Sequence, residues 1–334
     1  MNNNLLDILT REGVLINVSV RYWRAAKKLR AEDLGLDPND VTDRLISLGH
    51  KKLLPRDALA RFAIIESRAH ALVEASTFPF LNGLGHFLPN KKLAEVTKTL
   101  RSLETEFINA KEEFMREYAD LRVEAAREWY QAASKLVRDP DRLVATIEAS
   151  FPKPGQMDRY FGYELQLFQI SVPKRLETEL VSLGDQQGII TARQQAANEA
   201  RRQITAGVDR FVQDCVASLR EQTANLCNEM LQSMKDGKTG VHQKTLNRLR
   251  GFIDQFKALN FAGDQELDEQ LETVRKQFLN RTAEEYRDDA TARTRMTEGI
   301  QRLAETARDM ARQDTREIVE RFGQMGVRKF TMAA

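Results

Sequence analysis

Cysteine is almost missing from the 334 residues, with two copies, and the chain holds only 8 prolines, 17 glycines and two tryptophans. Both cysteines, Cys215 and Cys227, fall in one predicted helix. At 1.5 Å rise per residue they stand about 18 Å apart, beyond the reach of a disulfide. Reduced, buried thiols are expected, which suits a cytoplasmic protein. A large charge of one sign is lacking too. The formal net charge is +2, so no global field calls for nucleic acid or an anionic membrane. No stretch approaches the ~20 apolar residues that a membrane-crossing helix needs. The opening "MNNNLLDILTREG" has no cationic region followed by an apolar one, and does not read as a signal peptide. The chain is expected to be soluble and intracellular.

What is present is 42% apolar and 30% charged residues, enough for one large or two modest cores. Few breakers among many Ala, Glu, Gln, Arg, Lys and Leu predict a mostly helical protein. Val14 to Val20 is β-branched and reads as a strand. "RYWRAAKKLR" follows, with Arg21, Arg24, Lys27 and Lys28 at helical spacing. A short helix from Val41 to Leu48, capped by Gly49, precedes a longer one from Pro55 to about Ala75. From Asn90 the positions Leu93, Val96, Leu100, Leu103, Phe107, Ala110 and Phe114 mark a heptad seam, which continues through Leu121, Ala125, Trp129 and Leu136. A helix of that length extends roughly 70 Å and is expected to pair with something as long.

Pro140 breaks this helix. "RYFGYELQLFQISVP" alternates Tyr163, Leu165 and Leu167, then Phe168, Ile170 and Val172, and predicts a second strand free to pair with the first. Ile204, Val208, Phe211, Cys215, Leu219, Leu226 and Met230 mark another long seam. A shorter helix carries Leu246 to Leu259. A further long helix is predicted to start at Leu267, Leu271, Val274 and Phe278, to continue through Ile300, Leu303, Ala307 and Met310, and to finish near Gly323. The expected fold is mainly α: an elongated antiparallel helical bundle or coiled coil with a small two-stranded β element at its base. Two regions are expected, residues 1–175 with the α/β base and first long helix, and 176–334 packing back on it.

The catalytic inventory is thin. Gly83 and Gly85 lack the third glycine of a dinucleotide fingerprint, since Leu88 stands there, and a helix rather than a strand precedes them. "DGKTG", Asp236 to Gly240, lacks the first glycine of a P-loop, Gln232 standing in its place. His50, His70, His86 and His242 are scattered; Glu66 and His70 share one helix face without a second such pair to complete a metal site. The acidic pairs Glu112–Glu113, Glu284–Glu285 and Asp288–Asp289 lie among Lys and Arg, as solvated faces do. No enzyme, cofactor or metal is expected.

Two segments stand out. "STFPFLNGLGHFLP", Ser76 to Pro89, gathers Phe78, Phe80, Leu84 and Phe87. It reads as an apolar corner between helices, a partner contact, or a membrane-probing tip. Arg21, Arg24, Lys27 and Lys28, with Lys51 and Lys52 further on and Tyr22 and Trp23 interleaved, form a candidate basic patch for phosphates or an acidic protein groove. The blander alternative packs the aromatics and leaves the basic heads in water.

"VSVRYWRAAKKLRAEDLGL", "LISLGHKKLLPRDAL", "FLNGLGHFLP", "FINAKEEFMREY" and "RYFGYELQLFQI" together resemble the domain-of-unknown-function 3150 family of bacteria, phages and integrative elements. The resemblance covers roughly residues 14 to 175. It implies no catalytic residue. It implies a genomic setting beside a MoxR-type AAA+ ATPase and a von Willebrand factor A protein, hence a non-enzymatic structural or adaptor component of a mobile-element or phage-related system. A nucleic-acid-binding accessory to recombination or anti-phage defence is the alternative, and a membrane-active helical protein a third. Whether long seams recruit identical chains stays open.

Overall fold

A computed structural model of the chain describes residues 3–34, 36, 48–81, 85–169, 186–236, 241–313, 315 and 317–322. In chain order its main elements are α1 (Asn3–Glu12), β1 (Gly13–Arg21), β2 (Ala26–Lys28), β3 (His50–Lys52), α2 (Ala60–Ser76), β4 (Phe78–Phe80), β5 (Gly85–Pro89), α3 (Asn90–Leu136), α4 (Pro140–Ala149), α5 (Pro154–Met157), β6 (Gly162–Phe168), α6 (Gln186–Asp236), α7 (Gln243–Leu259), α8 (Gln265–Phe278), α9 (Ala283–Asp288) and α10 (Ala290–Arg312). The protein is mainly α-helical. Its strands exceed the two expected: β4-β5-β1-β6 is a four-stranded sheet, and β2 and β3 pair separately. The predicted pairing of the first and last strands is present, since β1 and β6 are neighbours. Ile170, Val172, residues 41–47 of the predicted helix from Val41 to Leu48, residues 237–240 of "DGKTG" and Gly323 lie outside the described residues.

The contacts divide the chain into two units: Met1–Ile16, Ser76–Ala94 and Leu167–Ala334 form one, Asn17–Ala75 and Glu95–Gln166 the other. The boundary near residue 175 therefore corresponds to only one of several crossings. α1 and the segment Ser76–Ala94 belong with the C-terminal helices.

In the first unit, α6 and α10 run antiparallel. Arg220 reaches the Met310 carbonyl at 2.7 Å, and fourteen residues further along α6 Met234 meets Thr297. Val208, Phe211, Cys215, Leu219, Leu226 and Met230 of the predicted seam are buried, as are Met296, Ile300, Leu303, Ala307 and Met310. The continuous helix predicted from Leu267 onward is instead interrupted, with three helices up to Arg312. α8 stops at Phe278, Thr282 and Glu285 form a reciprocal capping box at the start of α9, and Asp289 caps α10. Arg250 satisfies the carbonyl of Leu279 in the break. Gly299 lets α8 and α10 close up, because a Cβ there would sit 2.3 Å from the Phe278 ring.

In the second unit the α3 seam from Val96 to Tyr118 is buried. Within the unit its partners are several short elements, not one long helix. α2 lies antiparallel to it, tied by Arg61–Glu113 and Arg68–Glu106. Tyr118 donates to the Pro152 carbonyl at 2.7 Å and Tyr163 of β6 to that of Leu100 at 3.0 Å. Rings fill the centre, with Phe62 against Phe107, Phe114 and Phe161 at 5.0–6.0 Å. α4 begins where proline can start a helix, with Asp139 accepting from the Arg142 N–H.

Candidate functional site

The apolar stretch is a β-hairpin. Phe78 faces Phe87 and Phe80 faces Gly85 across it, and β5 continues onto β1 with Gly13 opposite Pro89. Alternation along a strand puts Phe78 and Phe80 on one face, where Phe87 joins them. That face packs onto Phe211 of α6 and Phe261, with ring centroids 4.9 Å apart for Phe80–Phe211 and for Phe87–Phe261. Gly13 has no room for a Cβ beside the Phe87 ring. Phe78, Phe80 and Phe87 are 4%, 2% and 0% exposed, so the first unit uses them as core. The segment is a buried strand pair in this fold, where a corner between helices was expected. Leu84 lies outside the described residues.

The basic segment is not a helix. β1 runs on through Arg21, and in the irregular stretch after it Trp23 packs inward against Tyr118 and Phe151 and Tyr22 stacks on Phe62. Arg24 lies over the Tyr22 ring at 3.9 Å and makes two hydrogen bonds to Glu66, at 2.7 and 3.0 Å. These bonds hold the Glu66 carboxyl below its ordinary range against the opposing effect of burial. Arg21 pairs with Glu164 at 3.0 Å. Lys51 is buried with Asp33 at 2.8 Å, each side chain 5% exposed. Burial pushes the Asp33 carboxyl up, and hydrogen bonds from Lys51 and the Arg30 N–H more than offset it.

The six candidate cations thus separate. Arg21, Arg24 and Lys51 hold carboxylates of the same unit. Lys27, Lys28 and Lys52 are exposed on the β2–β3 ribbon, where Ala26 faces Lys52, Lys27 faces Lys51 and Lys28 faces the exposed His50. The tidy helical stripe expected from spacing is corrected to a short antiparallel ribbon, because strand pairing with His50–Lys52 outweighs a weak local helix preference.

Glu66, the carboxylate noted beside His70, has both oxygens on Arg24. Among the described residues no group of three or more His, Cys, Asp or Glu stands ready to hold a metal ion, and no helix is long and apolar enough to cross a membrane. Surface clefts are formed among the described residues. In the second unit one of 220 Å³ lies under Trp129, whose indole N–H donates to the Lys52 carbonyl at 2.8 Å. Another of 490 Å³ lies between Asp33 and Arg142. In the first unit a cleft of 370 Å³ follows α10 beside the α8–α9 break.

Sequence reasoning missed two polar features. Arg220 and Asp264 form a buried salt bridge at 2.7 Å, with side chains 4% and 3% exposed. The arginine sits among Cys215, Leu219 and Leu226 of the α6 seam, a position that periodicity alone could have flagged. The cleft on α10 is lined by Thr291, Arg295, Glu298 and Arg302, spaced four, three and four residues apart, which is one helix face.

The family model described as "Protein of unknown function (DUF3150)" matches residues 10–305. The chain belongs to that family, and the match reaches well beyond residue 175 into the C-terminal helices. No curated protein and no solved structure matches the chain.

Proposed function

We propose that this member of the domain-of-unknown-function 3150 family is a structural or adaptor component without chemistry of its own. In this reading it works with a MoxR-type AAA+ ATPase, and with a von Willebrand factor A protein where one is encoded, in a mobile-element or phage-related system. The observation that carries it is the use made of buried polar groups. Arg220–Asp264 fastens α6 to the start of α8 and, through the Met310 carbonyl, to the end of α10. Lys51–Asp33 is likewise closed on itself, and Tyr118, Tyr163 and Tyr286 each donate to a backbone carbonyl. Such groups serve as fasteners, whereas a catalytic acid or base needs a free position toward a substrate. The elongated antiparallel bundle belongs to the proposal, supported locally by the α6–α10 packing. Co-purification with the ATPase, with and without nucleotide, tests it: a nucleotide-dependent complex or a changed ATPase rate is expected. Neither being seen would remove the adaptor reading.

A second reading rests on the β2–β3 ribbon. Exposed Lys27, Lys28 and Lys52 on paired strands suit phosphate contact, and two-stranded ribbons do enter nucleic-acid grooves. It predicts DNA binding that weakens steeply with salt and is lost on changing those three lysines to Ala. Salt-independent binding, or none, ends this reading.

A further inference from the structure

The face of α10 made by Thr291, Arg295, Glu298 and Arg302 is the wall of a formed cleft. Its floor is apolar: Tyr286 is 1% exposed, with its hydroxyl donating to the Phe278 carbonyl at 2.8 Å, and Phe278 is itself buried. The far lip carries Arg281, paired with Asp289 at 3.1 Å. Among the described residues no salt bridge engages Arg295 or Arg302, although both are exposed and Glu298 stands between them. Seven residues of helix place the two Arg Cα atoms about 10 Å apart. Guanidinium groups are planar forks that match carboxylates two bonds at a time.

We propose that this cleft binds an acidic segment of a partner protein. Two carboxylates about 10 Å apart meet Arg295 and Arg302, and an uncharged or basic residue between them passes Glu298. The residue that passes Glu298 meets only the edge of the floor, since Tyr286 and Phe278 are 1% and 8% exposed. A protein segment fits better than nucleic acid because Glu298 and Asp289 share the cleft and repel a continuous run of phosphates, while a peptide can place its charges to avoid them. The inference rests on the adaptor reading and names the chemistry of the partner it would receive.

The test uses the full-length protein and labelled alanine-based helical peptides with Glu at positions i and i+7 and Leu between them, followed by fluorescence anisotropy. Saturable, salt-sensitive binding is expected, weakened at least about tenfold in Arg295→Glu/Arg302→Glu and unchanged in Lys244→Glu, an exposed change elsewhere in the same unit. A peptide with Lys at the two positions should bind the double variant better than wild type. No binding by the wild type, equal binding by the double variant, or equal competition by duplex DNA would each overturn the proposal. Circular dichroism of the double variant keeps misfolding from imitating the expected loss. The two readings separate cleanly: an ATPase complex that survives the double variant counts against this cleft alone. Peptide binding without any ATPase complex counts against the adaptor partner alone.

Discussion

Arg220 and Asp264 show how a residue pair is committed once it is enclosed. Asp264 accepts from the Arg220 Nε–H at 2.7 Å and also, more loosely, from the Leu267 N–H at the head of α8. Removing one partner leaves the other charge buried without compensation, a loss of about 3–5 kcal/mol. Arg220→Met and Asp264→Leu, made singly, are therefore each expected to lower the urea midpoint strongly. Arg220→Met/Asp264→Leu should cost much less than the two single losses together. Simple additivity in that cycle would mean that the pair is not coupled. In the other unit Glu66 and Asp33 have carboxyls held below their ordinary values of 4.5 and 3.8. A depressed folded-state pKa contributes stability above the unfolded value, and that contribution disappears as pH falls through the folded one. Stability should thus hold level on this account near neutrality and decline below about pH 4, with a shallower acid decline in Glu66→Gln. An unchanged slope in that variant would assign the acid sensitivity elsewhere.

At the scale of elements, the long seams were legible because period 3.5–3.6 is written over many turns: α3 begins at Asn90 and ends at Leu136, as the spacing predicts. The break between α8 and α10 was not, because Phe278 and Ile300 both suit a helix and the stretch from Leu279 to Asp289 holds no proline or glycine. The signal was nonetheless present in "TAEE". Thr282 accepts from the Glu285 N–H while Glu285 accepts from the Thr282 N–H, so two otherwise unpaired helix-start donors are satisfied. Thr282→Ala should cost about 1 kcal/mol, read as a lowered thermal midpoint, and Thr282→Ser should recover most of it. Gly299→Ala is expected to cost about 1–3 kcal/mol by overpacking against Phe278, although alanine is the better helix former. Equal stability of that variant would mean that α8 and α10 move apart at little cost. The hairpin was illegible for another reason. Pro79 and the glycines mask the alternation of Phe78 with Phe80, and a three-residue strand carries almost no periodic signal. The burial of Phe78 and Phe87 follows from pairing with β1 and packing on α6, contacts that lie far away in sequence.

For the whole molecule, the consequence is that cutting the chain by sequence character does not cut it by core. Residues 1–175 contain the motifs on which the sequence resemblance rests, yet Ile8, Leu9, Phe78, Phe80 and Phe87 share one apolar cluster with Phe211, Phe256 and Phe261. A fragment ending at 175 would leave the hairpin's inner face without Phe211 of α6 and Phe261, exposing three phenylalanine rings that each bury on the order of 150–250 Å² in a core. Exposed apolar area of that kind drives self-association. The fragment is expected to bind 8-anilinonaphthalene-1-sulfonate and to elute as aggregates, whereas the full chain should do neither. Ser substitutions at Phe80 and Phe87 should make the fragment more soluble while destabilising the full chain by several kcal/mol. Opposite signs in the two contexts distinguish core residues from a docking surface, because surface phenylalanines would give a soluble, stable full-length variant whose only defect is the loss of its partner. A monomeric, well-dispersed fragment with no dye binding would show that residues 1–175 hold their own core, and would restore the boundary that composition suggests.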